Sequence, residues 1–201
     1  MKDGFEYFIS IAENRIEEKI DRSLFISTAS YIENEEMAKN VIFKVSQEFK
    51  DATHNCWAYK IGNLQFYSDA GEPANSAGRP IMDAIRSSDV ENVAVIVSRY
   101  FGGKKLGIRG LIDAYNHMAK KVLESAVKKR FLIGKIVEIK CAYKDFDRIR
   151  YFIQKHGYII SPPDFKEFVA IKAFVPENLS VNFDHKDVGE WIIEEGRLIE
   201  L

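Results

Sequence analysis

The sequence predicts an α+β protein of two domains, residues 1–132 and 133–201. Three observations predict it. A length of 201 residues accommodates one domain or two small ones, at ~100–200 residues per domain. Strand and helix patterns alternate through the first part around a valine-rich run, Val93, Val95, Ile96 and Val97, which reads as a strand buried on both faces. After a long helix the pattern restarts near Gly134. Two strand-helix-strand units then follow in under 70 residues, which is a ferredoxin-like order.

The elements follow in turn. Phe5, Tyr7, Ile9 and Ile11 alternate with Glu6, Phe8 and Ser10 and give a first strand. Residues 16–32 read as extended, with a polar kink at Asp21-Arg22-Ser23. Asn34 caps a helix over about 35–50, because Met37, Val41, Val45 and Phe49 recur every four residues. Residues 55–60 and 63–68 form two short strands around a Gly62-Asn63 turn. Gly71, Pro73, Gly78 and Pro80 make 69–80 a loop, and Pro80 suits the first turn of a helix ending near 88. Asn92 to Phe101 is the buried strand. A helix from about 108 follows, with Leu111, Tyr115, Met118, Val122 and Ala126 as a core stripe on one face. Phe131 to Lys135 is the expected linker. Beyond it come a strand at 135–143, a helix at 145–156, a strand at 157–161 and a Pro162-Pro163 turn. A strand at 166–175, a helix from Pro176 to about 193 and a last strand at 196–201 complete the chain.

Composition narrows the function classes. Hydrophobic residues at 46% and aromatics at 12% can build a core, which excludes a disordered chain. Five prolines and twelve glycines exclude collagen-like architecture. No apolar run approaches the ~20 residues of a membrane span. The start, Met1 to Glu6, lacks a signal-peptide pattern, so the expected location is the cytoplasm, away from membranes. Cys56 and Cys141 lie too far apart for a disulfide framework or a cysteine zinc site. The net charge of −1 conceals an asymmetry: −5 over 1–85, +6 over 86–130 and −2 over 131–201. A basic middle segment suits one anion-facing surface. For Lys120, Lys121, Lys128 and Lys129 an ordinary solvated helix face fits equally well.

Two stretches carry chemistry. One is the acidic turn from Ser68 to Pro80, with Asp69, Gly71, Glu72 and Arg79. The other runs Ser98-Arg99-Tyr100-Phe101-Gly102-Gly103-Lys104-Lys105-Leu106-Gly107-Ile108-Arg109-Gly110-Leu111. It orders strand, glycine loop and helix, so backbone N–H groups and a helix dipole can meet an anion. Lys104, Lys105 and Arg109 add formal charge, and Arg99 beside Tyr100 can contact a phosphate while a ring stacks. The loop lacks the Gly-Lys-Ser/Thr of a nucleotide triphosphatase. A tight turn that needs glycines for positive φ explains the same residues without a ligand. For catalysis the polar candidates are His54, Asp69, Glu72 and Arg79. His54 and Asp69 can meet across a hairpin as a metal pair or an acid–base pair. The structural alternative has Asp69 and Glu72 accept backbone N–H bonds in the turn, or pair with Arg79. One histidine and two carboxylates fall short of a metal set, so no catalytic residue, metal or cofactor is expected. Cys56 reads as packed, and His117, His156 and His185 read as surface or helix residues without partners.

Taken together, the two stretches resemble the IMPACT/YigZ family. The shared segments are Gly71-Glu72-Pro73, Ala77-Gly78-Arg79-Pro80, Arg99-Tyr100-Phe101-Gly102-Gly103, Leu106-Gly107, Gly110-Leu111 and Ala114-Tyr115. Upstream, Ser23-Leu24-Phe25-Ile26 and Ala52-Thr53-His54-Asn55-Cys56-Trp57-Ala58-Tyr59 also match. The resemblance covers about 14–130. It departs at Ala70, where the family has a second acidic residue, and at Ile108-Arg109, where it has a small pair. It implies a two-layer first domain with a left-handed β-α-β crossover, of the type in a small-subunit ribosomal protein and in domain four of elongation factor G. It also implies a ferredoxin-like second domain, as in domain five of that factor. The implied partner is RNA or the ribosome and translation machinery, through Arg79, Arg99, Tyr100, Gly102, Gly103, Lys104, Lys105, Gly107, Arg109 and Gly110. The expected function is a non-enzymatic binding protein and regulator of translation. The alternative is an enzyme acting on a phosphorylated small molecule or nucleotide at the glycine loop.

Overall fold

The structure is a computed structural model that describes residues 6–177, 191–194 and 199–200. Two compact units emerge: Ile9–Lys129, and Met1–Phe8 together with Arg130–Leu201. Strand β1 (Glu6–Ile11) begins the described chain.

In the first unit β2 (Asn14–Ile20) and β3 (Ser23–Tyr31) form a hairpin. The expected polar kink is its turn, with φ of 46° at Asp21 and 71° at Arg22, the left-handed pair that a two-residue hairpin favours. Helix α1 (Glu35–Glu48) is capped by Asn34, whose side chain accepts from the Met37 N–H at 2.9 Å. The hairpin of β4 (His54–Ile61) and β5 (Leu64–Ser68) turns at Gly62, with φ of 53°. Helix α2 (Gly78–Arg86), strand β6 (Val93–Tyr100) and helix α3 (Gly107–Glu124) follow.

The sheet order is β2-β3-β6-β4-β5, and every neighbouring pair is antiparallel. So β3 and β4 run parallel with β6 between them, joined through α1. Likewise β5 and β6 run parallel with β4 between them, joined through α2. Val93, Val95 and Val97 pack against Ile81 and Ile85 of α2 and Tyr115, Met118 and Val122 of α3. Ala94 and Ile96 pack on the opposite face against Ala38 and Val45 of α1. The valine run is buried on both faces for this reason. The helices therefore cover both faces, α1 on one and α2 with α3 on the other. The two crossovers join oppositely directed strands, step in opposite directions along the sheet and cross opposite faces, and these three reversals together give them opposite hands. One is therefore left-handed, against the usual preference of parallel connections.

The second unit holds most of the long strand β7 (Lys128–Cys141), then a short 3₁₀ turn (Tyr143–Asp145) and helix α4 (Phe146–His156). Next come β8 (Tyr158–Ile159), β9 (Asp164–Phe165), β10 (Val169–Pro176), β11 (Trp191–Glu194) and β12 (Ile199–Glu200). The order β11-β7-β10-β8 places fourth, first, third and second strands side by side, as in a ferredoxin-like sheet. Val137, Ile139, Ile149, Ile153, Ile171 and Val175 form its core. Two expectations change. Residues 131–135 lie inside β7 instead of a linker. Gly134 serves close strand approach there, since a Cβ would overlap the Val175 carbonyl and the Phe174 ring. The helix expected to reach 193 meets strand at Trp191–Glu194, whose Trp-Ile-Ile favours a pleated surface, and Pro176 ends β10 instead of opening a helix. Residues 178–190 of that expectation lie outside the described ones. Among the described residues no helix is long and apolar enough to cross a membrane.

Candidate functional site

The register of the first sheet creates the site. Phe25, Arg99 and His54 are direct neighbours across β3, β6 and β4, so their side chains stand in one row on the face covered by α2 and α3. The loop before α2 folds over this row and brings Glu72 to it, while Tyr115 reaches it from α3. Arg99 Nη1 donates to Glu72 Oε1 at 2.7 Å, and the Tyr115 hydroxyl donates to the same oxygen at 2.9 Å. The ion pair is inside the protein: the side chains are 6% exposed for Arg99 and 4% for Glu72. Arg99 lies over the Phe25 ring at 5.5 Å and the Phe101 ring at 5.6 Å, so aromatic faces supply part of its surroundings. Arg99 Nε is buried with no hydrogen-bond partner.

Asp69 holds the acidic turn in shape. Its Oδ1 accepts from the N–H groups of Ala77 at 3.0 Å and Gly78 at 2.8 Å, and Oδ2 accepts from Asn75 at 2.8 Å. The residue at the N-cap of α2, Ala77, has no capping side chain, so Asp69 caps that helix from outside it. Gly78 has no room for a side chain, since a Cβ would sit 2.7 Å from the Ser68 backbone. His54 Nδ1 bonds the Ala70 carbonyl at 2.9 Å, and its Nε2 lies 3.9 Å from Glu72 Oε2. Ala70 holds φ of 44°, an uncommon left-handed value for alanine. The Cys56 thiol donates to the Asp69 carbonyl at 2.9 Å and lies 3.4 Å from the Tyr115 hydroxyl. Burial pushes the Cys56 thiol up to about 12 and the Tyr115 phenol still higher, so both stay protonated at neutral pH. Among the described residues no group of three or more His, Cys, Asp or Glu could hold a metal ion.

The glycine loop joins β6 to α3 beside this cluster. Gly103 and Gly107 take φ of 84° and 71°, which an L side chain rarely adopts. Gly102 passes so close to the Arg22 carbonyl that a Cβ would overlap it. Ser23 Oγ accepts from Arg99 Nη2 at 3.3 Å and from the Gly102 N–H at 3.4 Å, tying the ion pair to the root of the loop. The expected site residues divide by exposure. Lys104, Lys105 and Arg109 are exposed on the loop and the first turn of α3. Lys104 reaches Asp21 at 2.9 Å, and Arg109, its side chain 95% exposed, lies 4.0 Å from Asp113. Arg79 is exposed at the start of α2, and Tyr100 donates its hydroxyl to Asp51 at 2.8 Å. Gly107 and Gly110 belong to the first turn of α3. Arg99 differs from the rest, because it is buried and compensated by Glu72. Glu72 pairs with Arg99 and not with Arg79, and Asp69 takes backbone N–H groups as the structural reading of the turn expected.

Sequence reasoning passed over three contributors. Tyr115 was legible as a core residue, yet a phenol on a buried stripe needs a partner for its hydroxyl. Ser23 and Phe25 sit in a matching segment that carried no chemical signal of its own. His117 also has a partner, contrary to the sequence reading: its Nε2 is 3.1 Å from Glu18 Oε2, which also accepts from Lys121 at 2.7 Å. Those two contacts draw the Glu18 carboxyl below its ordinary value, Lys121 more strongly.

Known proteins share this arrangement of sequence. Residues 21–123 match the Impact N-terminal domain family. An IMPACT family member from Thermus thermophilus is 36% identical over 160 residues, covering 80% of this chain and 82% of that one. YigZ of Escherichia coli is 30% identical over 186 residues, covering 90% and 91%. A solved structure described only as a hypothetical protein superposes with a TM-score of 0.65 at 29% identity, over 85% of this chain and 86% of the other. A domain match over half the chain and relatives aligned along most of their length lead to one conclusion: this chain belongs to the IMPACT family.

Proposed function

We propose that this protein is a non-catalytic RNA-binding protein that acts on the translation machinery, and that the glycine loop is its phosphate contact. The observation that carries the reading is the sorting of charge at the site. Glu72 and Arg99 neutralise each other inside the protein, while Lys104, Lys105 and Arg109 stand exposed on a loop opening onto the start of α3. Phe101, 46% exposed beside them, supplies a ring for base stacking. A carboxylate shared by a guanidinium and a phenol is engaged in structure. The resemblance of both domains to those of a ribosomal protein and an elongation factor supports this partner class by analogy of fold.

The test compares wild type with Lys104→Ala/Lys105→Ala/Arg109→Ala by fluorescence anisotropy on a mixed-sequence single-stranded RNA and by co-sedimentation with ribosomal subunits. All three side chains are exposed, so the melting temperature should stay within about 1 °C, as for surface changes. Each lost phosphate contact should flatten the slope of log K against log salt by ~0.7. Unchanged affinity of the triple variant at low salt would refute the proposal. A screen of phosphorylated metabolites that finds turnover lost in Glu72→Gln would replace it with the enzyme reading.

A further inference from the structure

The two edges of the first sheet are built differently. Edge strand β2 (Asn14–Ile20) carries Arg15, Glu17, Glu18 and Lys19, the kind of charge that keeps an edge from pairing with another chain. Edge strand β5 is Leu64-Gln65-Phe66-Tyr67-Ser68, with no charge, no proline and no bulge. Its large side chains stand in solvent: Leu64 is 36% exposed, Phe66 46% and Tyr67 44%. Among the described residues no strand pairs with its outer side. An uncharged, aromatic, unpaired edge is a template for strand addition.

We propose that β5 pairs antiparallel with β5 of a second copy of this chain, with the two-fold axis at Phe66. Three arguments select that occupant. The strand itself has no cation, and the guanidinium beside it, Arg86 of α2, is held by Gln65 Oε1 at 2.8 Å and by Asp83 at 3.3 Å, so the edge offers nucleic acid no free phosphate contact. The strand's own side chains carry no charge of either sign and the Arg86–Asp83 pair beside them is neutral, so two copies meet without net repulsion, whereas a charged partner strand gains nothing. The register is self-complementary. The turn at Gly62 makes Ile61 and Leu64 the closing pair of the hairpin, so the ladder turns the amide groups of Leu64, Phe66 and Ser68 toward β4. Those of Gln65 and Tyr67 face outward. In the two-fold pair, Gln65 and Tyr67 exchange hydrogen bonds with Tyr67 and Gln65 of the second copy. Phe66 meets its own copy in a close, non-hydrogen-bonded pair. One short strand pair is a small interface, so the dimer is weak, with Kd of about 10–100 µM.

Sedimentation velocity over about 1 to 500 µM tests this on the full chain. Wild type should shift from monomer to dimer across that range. Tyr67→Pro removes an outward N–H without touching the ladder to β4 and should weaken association at least ~10-fold while leaving circular dichroism unchanged. Phe66→Lys, which adds the missing edge charge, is the second variant and should act alike. Phe66→Cys should give a disulfide-linked dimer on mild oxidation and Leu64→Cys should not, because only position 66 faces itself. Cys56 and Cys141 are buried and leave little background. A wild type monomeric throughout, a dimer that survives both edge variants, or cross-linking at 64 in place of 66 overturns the proposal. Association only with a different protein through this edge overturns it as well.

Discussion

Removal of one member of the Arg99–Glu72 pair should destabilise the fold far more than removal of both. Each side chain is nearly out of solvent, at 6% and 4% exposure, so a single deletion leaves a buried charge without its counter-ion. That situation costs ~3–5 kcal/mol, against ~0–1 for an exposed pair. Glu72→Leu and Arg99→Met should each lose that amount. In a chain of this size it corresponds to a drop in Tm of ~6–20 °C, at ~2–4 °C per kcal/mol. Glu72→Leu also strips the acceptor from Tyr115 and belongs at the upper end. The double change Glu72→Leu/Arg99→Met replaces both charges by apolar groups and also removes the unpartnered Arg99 Nε. It should fall within ~2 kcal/mol of wild type, so the coupling in the cycle should be at least ~4 kcal/mol. Urea unfolding followed by tryptophan fluorescence, with Trp57 in the same sheet, reads all four proteins. Additive single effects, or a cost below ~1 kcal/mol for either single change, would show that the pair does not carry the energy assigned to it.

Three further outcomes follow from particular contacts. Gly102→Ala should lose at least ~2 kcal/mol in urea unfolding, because its Cβ overlaps the Arg22 carbonyl and either the hairpin turn or the loop must move; a variant of wild-type stability would show that the loop yields freely. The Cys56 thiol, raised by burial from 9.0 to about 12, holds its proton in the folded state after the unfolded chain has released its own. Its contribution to stability is therefore complete below about pH 9 and is lost as pH rises toward 12. Native iodoacetamide labelling at pH 8 should spare it, and modification without prior unfolding would contradict the burial. Division of the chain into domains 1–132 and 133–201 predicts that a fragment of residues 1–132 unfolds cooperatively, since its two cores draw on residues from Ile11 to Ala126; a fragment without a urea transition would end that division.

The elements of the first domain were legible because each carries a local signal: Asn34 before a four-residue repeat, Gly62-Asn63 between short strands, and an uninterrupted valine run at the sheet centre. The charge cluster was legible only in part. Asp69, Glu72 and Arg99 were named from sequence, but the partner of each depends on register. Arg99 faces Glu72 because β6 lies between β3 and β4, and nothing in residues 69–80 encodes that non-local order. Arg79, nearer in sequence, is the partner the turn suggests, and only the sheet order sets Arg99 against Glu72 instead. The second domain was read with the right order of strands and the wrong segmentation. Gly134 looks like a boundary in sequence, yet it marks where β10 presses on β7. The same residue type serves both purposes, and only the neighbouring strand decides.

The basic segment also needs a discount that sequence cannot supply. Residues 86–130 carry a net charge of +6, which suggests several phosphate contacts. The structure divides those cations by the dielectric around them. The Arg99 charge is spent on a buried carboxylate, and a phosphate would have to break that pair to use it. Lys104 also has a partner, Asp21, but at 54% and 52% exposure the bridge contributes ~0–1 kcal/mol and exchanges freely for an anion. The Arg109–Asp113 contact, at 4.0 Å on the surface, is weaker still. Lys104, Lys105 and Arg109 thus remain available at the loop, and Arg99 does not. Three phosphates on a single strand give a slope of log K against log salt of about −2, where the sequence charge alone would give about −4. The slope therefore separates the two accounts: a value near −2 matches a loop-only contact, and a value near −4 would mean that lysines beyond the loop, Lys120 and Lys128 among them, share the binding face.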